Sequence, residues 1–179
     1  NPVTSKSLLA DRRAAHDLVK ALQARGTSLG LSGMPSDIYD NLLAWVFDPV
    51  AGQVAKANKV LDSYAEVLAL STEAGLGTPD GVSQSWGKKR VADTAIVVEE
   101  QRQAILAILS ATKDHESAAD DSVARQKLAE AREKYSAGDY AGAKAAAAGG
   151  LTAAYNEVAA GKMIAIAREK QQSFSPNFF

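Results

Sequence analysis

The chain has 179 residues, of which 46% are hydrophobic and 23% charged, so a single globular domain is expected. The 20 basic and 21 acidic residues leave a formal net charge of −1, and without a broad positive field nucleic acid is not an expected partner. There is no cysteine, which excludes disulfide frameworks, thiolate metal sites and cysteine nucleophiles, and no apolar run reaches the roughly 20 residues that span a bilayer.

The first predicted helix covers Ser5–Arg25, where apolar residues recur at helical spacing on one face. Gly26 follows in the position favoured for a C-terminal cap. The next stretch, Thr27–Pro35, contains two further glycines and a proline and predicts a loop.

A short second helix is predicted to begin at the N-cap Ser36 and to include Phe47. The pair Asp48-Pro49 ends it, and Pro49 either opens a new helix or kinks one long helix. The stretch Pro49–Ala74 carries the next apolar stripe, after which a glycine-rich linker follows.

The second half of the chain predicts further helices at Lys88–Lys113, Ser122–Ala137 and Asp139–Gln171. The last of these is rich in alanine and contains Gly149 and Gly150, each of which costs about 1 kcal/mol inside a helix. It is therefore either two helices or one long helix with a weak point. Its small side chains favour tight packing within the bundle, or alternatively a groove for a partner helix.

These patterns predict an all-α fold, because no stretch shows the alternation of a β-strand. Long antiparallel helices joined by short turns make an elongated up-and-down bundle, here of four to six helices. We expect one domain over residues 1–172 and a tail or linker over residues 173–179.

The turn between the last two helices has a recognisable sequence. Residues 135–143 read Tyr-Ser-Ala-Gly-Asp-Tyr-Ala-Gly-Ala and resemble the inter-helix turn of a tetratricopeptide unit. The resemblance covers Val123–Ala154 and departs from the pattern at Ala147, where an aromatic residue is expected. It implies two antiparallel helices. Arrays of such units need about three repeats and no second copy occurs, so we expect a helical hairpin rather than a peptide-binding solenoid.

Motifs for metals and catalysis are largely missing. His16 and His115 are not preceded by the glutamate of a di-iron site, so we expect both at the surface, although haem held between two histidines stays open. The acidic stretch Asp114–Asp121 lacks calcium-loop spacing and predicts a solvated turn. Gly75–Gly81 lacks the lysine and the preceding strand of a phosphate-binding loop and predicts a linker. We therefore expect no catalysis and no bound cofactor.

Aromatic residues near loops and one basic cluster are the best candidates for a binding surface. They are Tyr39, Trp45, Phe47, Trp86, Lys88, Lys89 and Arg90. The basic residues fall in the first predicted turn of their helix, which is an unfavourable place for positive charge and marks them for an anionic partner. The alternatives are buried aromatics at a bundle end and a solvated basic face.

The leading hypothesis is a non-catalytic helical module for binding, spacing or assembly within a larger protein, with a protein or a neighbouring domain as its partner. An extracytoplasmic location is favoured by the lack of cysteine and by a start at Asn1 without a methionine. Two alternatives remain. One is the ligand-sensing four-helix bundle of a membrane receptor, with both termini at one end. The other is a bundle that holds haem, a pigment or a metal non-covalently.

Overall fold

The computed structural model describes residues 4–116 and 118–173, which form seven helices and no strand. The helices are α1 (Ser5–Ser28), α2 (Ser36–Ala44), α3 (Phe47–Glu73), α4 (Val82–Trp86), α5 (Val91–Asp114), α6 (Val123–Ser136) and α7 (Tyr140–Ser173). The all-α prediction is confirmed, whereas the predicted count of four to six helices is too low. The additional helix is α4, a single short turn in the region predicted as a linker. Residues 174–179 of the expected tail lie outside the described residues.

The long helices α1 and α3 run in the same direction. Ala15 of α1 and Val50 of α3 line the same depression. Further along both helices, a side-chain nitrogen of Arg25 donates to the backbone oxygen of Asn58 at 3.0 Å. From the first contact to the second, the residue number rises in both helices, so the two helices are parallel.

The later long helices repeat this direction. Between α3 and α5, Gln53 and Ala92 line one groove, and farther on Glu66 accepts a hydrogen bond from Arg102 at 3.0 Å. Between α5 and α7, Lys144 donates to the Gln103 side chain at 2.6 Å, and farther on Gly150 of α7 lies beside His115 at the end of α5. Neighbouring long helices are thus parallel, and the antiparallel prediction is wrong for these pairs.

Between the two helices of each parallel pair, a connecting segment returns the chain to the end of the bundle at which the first helix began. The short α2 lies between α1 and α3, the linker with α4 lies between α3 and α5, and α6 lies between α5 and α7. Only α6 is long enough to form an extended antiparallel pair with its neighbour. The prediction included α2 and α6 as helices and treated Gly75–Gly81 as a linker, but it did not foresee that these segments return the chain between parallel long helices.

The core consists of two hydrophobic clusters in series. The first is formed by α1 to α4 and the start of α5. The second is formed by the end of α5, by α6 and by the first part of α7. The hydroxyl groups of Ser71 and Tyr135 lie 2.7 Å apart in a buried hydrogen bond, which ties the end of α3 to the second cluster.

The corner between α2 and α3 differs from the prediction by a few residues. The second helix ends at Ala44, because Trp45 adopts a left-handed conformation with φ 61° that cannot continue a helix. Phe47 is the first residue of α3, so Pro49 falls in its first turn, where a backbone N–H is not needed. Of the two expectations for Pro49, a separate helix is therefore correct.

The α6–α7 hairpin is confirmed. Gly138 has φ 84°, which favours glycine, and the Asp139 carboxylate accepts the N–H of Gly142 at 2.9 Å as an N-terminal cap. The rings of Tyr135 and Tyr140 meet edge to face with centroids 5.3 Å apart. The turn thus follows the resemblance noted in the sequence.

The last helix is continuous for 34 residues and passes through both glycines. Gly150 lies against the bundle: a Cβ atom there would be 3.1 Å from Cβ of Lys127 and 3.2 Å from Nε2 of His115. Gly149 faces more open space, with Cδ of Lys127 4.0 Å from its would-be Cβ. Close packing of α7 on α5 and α6 therefore explains Gly150 but not Gly149.

The linker after α3 is held by two side chains. The backbone oxygen of Asp80 accepts a hydrogen bond from the Gln101 amide at 2.9 Å and another from the Tyr140 hydroxyl. Burial raises the pKa of Tyr140 to about 12, and burial also raises the pKa of Tyr64 and Tyr135.

These buried tyrosines make stability depend on alkaline pH. The unfolded tyrosine ionises near pH 10, below the folded Tyr140, so the stabilisation is complete below about pH 10 and is lost as the pH rises towards about 12. We expect Tyr140→Phe to reduce the loss of unfolding free energy over this range, measured by urea titration at several pH values. Part of the dependence of the unfolding free energy on pH will remain in the variant, because the pKa values of Tyr64 and Tyr135 are also raised. An unchanged slope in the variant would contradict this assignment.

Candidate binding surfaces

Two of the predicted aromatic residues meet at the corner between α2 and α3. Trp45 is half-buried, and the guanidinium carbon of Arg12 lies 4.1 Å from its ring centroid in a cation–π contact. Trp45 and Phe47 line the same shallow depression. Tyr39 lies on α2 with 49% of its surface exposed, but it is not among the residues lining that depression.

Exposed aliphatic side chains extend this corner onto the start of α1. Leu8 and Leu9 are exposed, and together with Arg12 and Trp45 they line an open cavity of about 390 Å³. We call the surface formed by Leu8, Leu9, Arg12, Trp45 and Phe47 the α1–α3 corner. It is a small apolar surface with one cation beside its tryptophan.

Trp86 is not a surface residue. It is 0% exposed, and its indole N–H donates to the backbone oxygen of Gly33 at 3.0 Å. The ring packs against Gly26: a Cβ atom on Gly26 would lie 3.4 Å from Nε1 of Trp86. Trp86 is therefore not part of a binding surface, and the alternative of a buried aromatic is correct for it, because α4 folds onto the first hydrophobic cluster.

The predicted basic cluster is exposed but does not form one site. Lys88 and Lys89 line an open groove of about 620 Å³ together with Asp80 and Glu100. Arg90 lines a different groove, which also holds the carboxylate of Asp37. In the first groove the two carboxylates balance the two lysines, whereas the second groove is also lined by Lys56 and Lys59 and keeps an excess of positive charge.

The basic residues also lie outside the helix to which they were assigned. The fifth helix begins at Val91, and Arg90 is its N-cap. The carboxylate of Asp37 accepts the Val91 N–H at 3.2 Å. Acidic groups therefore cap the start of this helix, where the first backbone N–H groups have no partner within the helix and favour an acceptor.

The two histidines occupy different environments. His16 is exposed on α1, as predicted. His115 is only 1% exposed, and within residues 4–116 and 118–173 neither of its ring nitrogens has a hydrogen-bond partner. The surface prediction for His115 is wrong, because α7 passes over it at Gly150. In these same residues no cluster of three or more histidine, aspartate or glutamate side chains is arranged to hold a metal ion.

A run of exposed apolar side chains lies on the second half of α7, a feature that sequence reasoning missed. We call residues Leu151–Glu169 the free half of α7. It carries six large apolar side chains that are 41% to 77% exposed: Leu151, Tyr155, Val158, Met163, Ile164 and Ile166. From Tyr155 to Gln172 every side chain is exposed. A helix with apolar residues on all sides is normally buried.

The free half is joined to the rest of the bundle at its base. The Glu157 carboxylate accepts the backbone N–H of Ala124, the second residue of α6, at 3.3 Å. Beyond Glu157, α5 and α6 have ended, and the side chains of α7 up to Glu169 are exposed. The composition did contain a signal: Val158–Ala167 includes Lys162 as its one charged residue.

No protein-family model matches this chain, and neither a curated protein nor a solved structure is significantly similar to it. None of the helices in the described part of the chain combines the length and apolarity needed to cross a membrane.

Proposed function

We propose that this chain is a non-catalytic helical module that assembles with another polypeptide through the free half of α7, as part of a larger protein. The observation that carries the proposal is the exposed apolar surface of Leu151–Glu169. Burying a large aliphatic side chain completely is worth about 1.5–3 kcal/mol. A complex in which a partner covers several of the six exposed side chains is therefore stabilised by their burial.

The exposure of the free half supports a docking role. Most helical stability in proteins comes from the packing of an apolar face, and among the described residues the side chains from Tyr155 to Glu169 are exposed. A partner helix would supply the missing packing. Contiguous exposed apolar surface of this kind typically marks a protein interaction site.

The ionisable groups support a structural rather than a catalytic role. The pKa of Arg102 is raised by its hydrogen bond with Glu66, and the pKa of Glu130 is lowered by its hydrogen bond with Lys127. Both are ion pairs on exposed helix surfaces. The raised pKa of Tyr140 keeps that phenol protonated at neutral pH and makes it a poor general base.

The directions of the helices fit a module within a chain better than a receptor sensor. A sensor anchored at both ends needs both termini at one end of the bundle. Here α1, α3, α5 and α7 are successively parallel, so the start of α1 and the end of α7 lie towards opposite ends. This arrangement suits a spacer or an assembly unit.

The proposal is tested by photo-crosslinking in cells that produce the full-length protein. A benzophenone amino acid replaces Val158 on the free half, and in a control it replaces Tyr39, which is also exposed but lies on α2. We expect a covalent adduct with a polypeptide at position 158 and none at position 39, detected by mass spectrometry. Adducts at position 39 alone would overturn the proposal and move the binding surface to α2.

A further inference from the structure

We propose that the groove between α3 and the start of α5 binds a small organic phosphate ester, whose phosphate group is held by Lys56, Lys59 and Arg90. The groove is lined by residues of α2, α3 and α5 and by the N-cap of α5. It is therefore a different surface from the free half of α7, and the inference is independent of the proposed function. It follows from cations without ion-pair partners that line one groove with an apolar floor.

Three cationic side chains come together here from two parts of the chain. Lys56 and Lys59 are about one turn apart on α3, where residues three positions apart are neighbours, and Arg90 is the N-cap of α5. All three are exposed and line the same groove. In the part of the chain that the structure describes, none of them forms an ion pair. Because like charges repel, an anion bound between them lowers the electrostatic energy of the groove.

The one carboxylate in the groove is already engaged in hydrogen bonds. Asp37 accepts the N–H of Ile38 at 3.0 Å and the N–H of Val91 at 3.2 Å. Among the lining residues, three positive charges stand against this one negative charge, which leaves an excess of two. Since Asp37 takes the first N–H of α5, the cationic side chains rather than the start of the helix would hold a ligand.

An excess of two positive charges matches a phosphate monoester. At neutral pH this group carries about −1.5 to −2 charges and presents three strong acceptor oxygens. The planar guanidinium of Arg90 suits two of these oxygens at once, whereas Lys56 and Lys59 act as point charges. A sulfate ester carries a single negative charge and would leave part of the cationic charge unbalanced.

The floor of the groove suits the organic part of such a ligand. Val60 is 7% exposed and lies in this floor beside Ala95. Both residues also line an adjoining depression that reaches Ser63, so the two spaces form one path between α3 and α5. Their volumes are about 460 and 300 Å³, which is within the usual range for small-molecule sites.

The distribution of charge gives the ligand one orientation. Arg90 and Lys56 line the first groove, whereas Glu99 lines the adjoining depression. The Glu99 carboxylate repels a phosphate group, so the phosphate is expected at the Arg90 end. The organic part then extends over Val60 towards Ser63, whose hydroxyl group offers a hydrogen bond to a polar substituent.

The first experiment compares phenyl phosphate, phenyl sulfate and inorganic phosphate in NMR titrations of the full chain at constant ionic strength. At about pH 7.5, where a monoester is mostly a dianion, we expect shifts in the backbone amides of Lys59, Val91 and Ala92. We expect phenyl phosphate to bind at least about threefold more tightly than phenyl sulfate, because of its second charge. It should also bind at least about threefold more tightly than inorganic phosphate, because of its apolar ring.

Each other result of the titrations contradicts a part of the inference. Equal affinity for phenyl sulfate would show a general anion site and refute the preference for phosphate. Equal affinity for inorganic phosphate would refute the contact between the organic part and the floor. If these three amides do not shift with any of the probes, the groove is not a ligand site.

The second experiment uses variants with the same change of charge. Lys56→Gln and Arg90→Gln each remove one positive charge from the proposed site, and Lys88→Gln removes one from the other groove, where carboxylates balance the lysines. All three residues are exposed, so we expect the variants to fold, which circular dichroism checks. The dissociation constant for phenyl phosphate should rise at least about fivefold in the first two variants and less than about twofold in Lys88→Gln. Similar losses in all three would show a response to overall charge and overturn the inference.

Discussion

Replacing Trp86 with alanine is expected to lower the free energy of unfolding by about 3–5 kcal/mol, the range for truncating a large buried aromatic side chain. Trp86 is 0% exposed, so its removal leaves a cavity in the first hydrophobic cluster. The substitution also removes the indole N–H that donates a hydrogen bond to the backbone oxygen of Gly33 at 3.0 Å. Because Gly33 lies in the loop after α1 and Trp86 lies in α4, the change loosens both segments. Urea unfolding followed by circular dichroism measures the effect.

The other of the two tryptophans in the chain is the matched control. Trp45 is half-buried, and its contact with Arg12 is worth about 0.5–1 kcal/mol at an exposed site. We expect Trp45→Ala to cost less than half as much as Trp86→Ala. The left-handed backbone at this position is equally strained with alanine, so that strain cancels in the comparison. Similar losses for the two variants would contradict the assigned burial.

The two adjacent glycines of α7 are expected to respond to alanine with opposite signs. Gly149→Ala should stabilise the protein by about 0.8–1 kcal/mol, the difference in helix propensity, because its Cβ would meet only Cδ of Lys127, at 4.0 Å. Gly150→Ala gains the same propensity. However, its Cβ would lie 3.1 Å from Cβ of Lys127 and 3.3 Å from the backbone oxygen of Ala124, and overpacking of this kind costs about 1–3 kcal/mol.

The pair of variants differs only in position, so each is the control for the other. Thermal unfolding should show a higher midpoint for Gly149→Ala and a midpoint for Gly150→Ala at or below that of the unmodified protein. If both variants are stabilised by the same amount, α7 does not pack on α6 as closely as the distances at Gly150 require.

Much of the helical content could be predicted from periodicity alone. The helices α1, α3, α5 and α6 each present an apolar stripe, and the turn at Gly138-Asp139 has its own cap signal. The short α4 could not be predicted, because five residues are too few to show a period. The relative direction of the long helices could not be predicted either. The composition of the linker around Pro79 does not show whether it returns the chain to the end of the bundle where α3 begins.

The binding surfaces were harder to predict than the helices. Trp45 and Trp86 both stand beside loop residues, and nothing in their neighbours tells which one is buried. The free half of α7 was expected to pack in the bundle or to form a groove, because its alanine content resembles that of a core helix. Sequence shows that such a helix needs a neighbour, but it does not show whether that neighbour belongs to the same molecule.

The common direction of α1, α3, α5 and α7 has an electrical consequence. In an antiparallel bundle the dipoles of the peptide units largely cancel between neighbours, whereas here four long helices add theirs and only the shorter α2 and α6 oppose them. The helix dipoles therefore sum with their positive pole towards the start of α1.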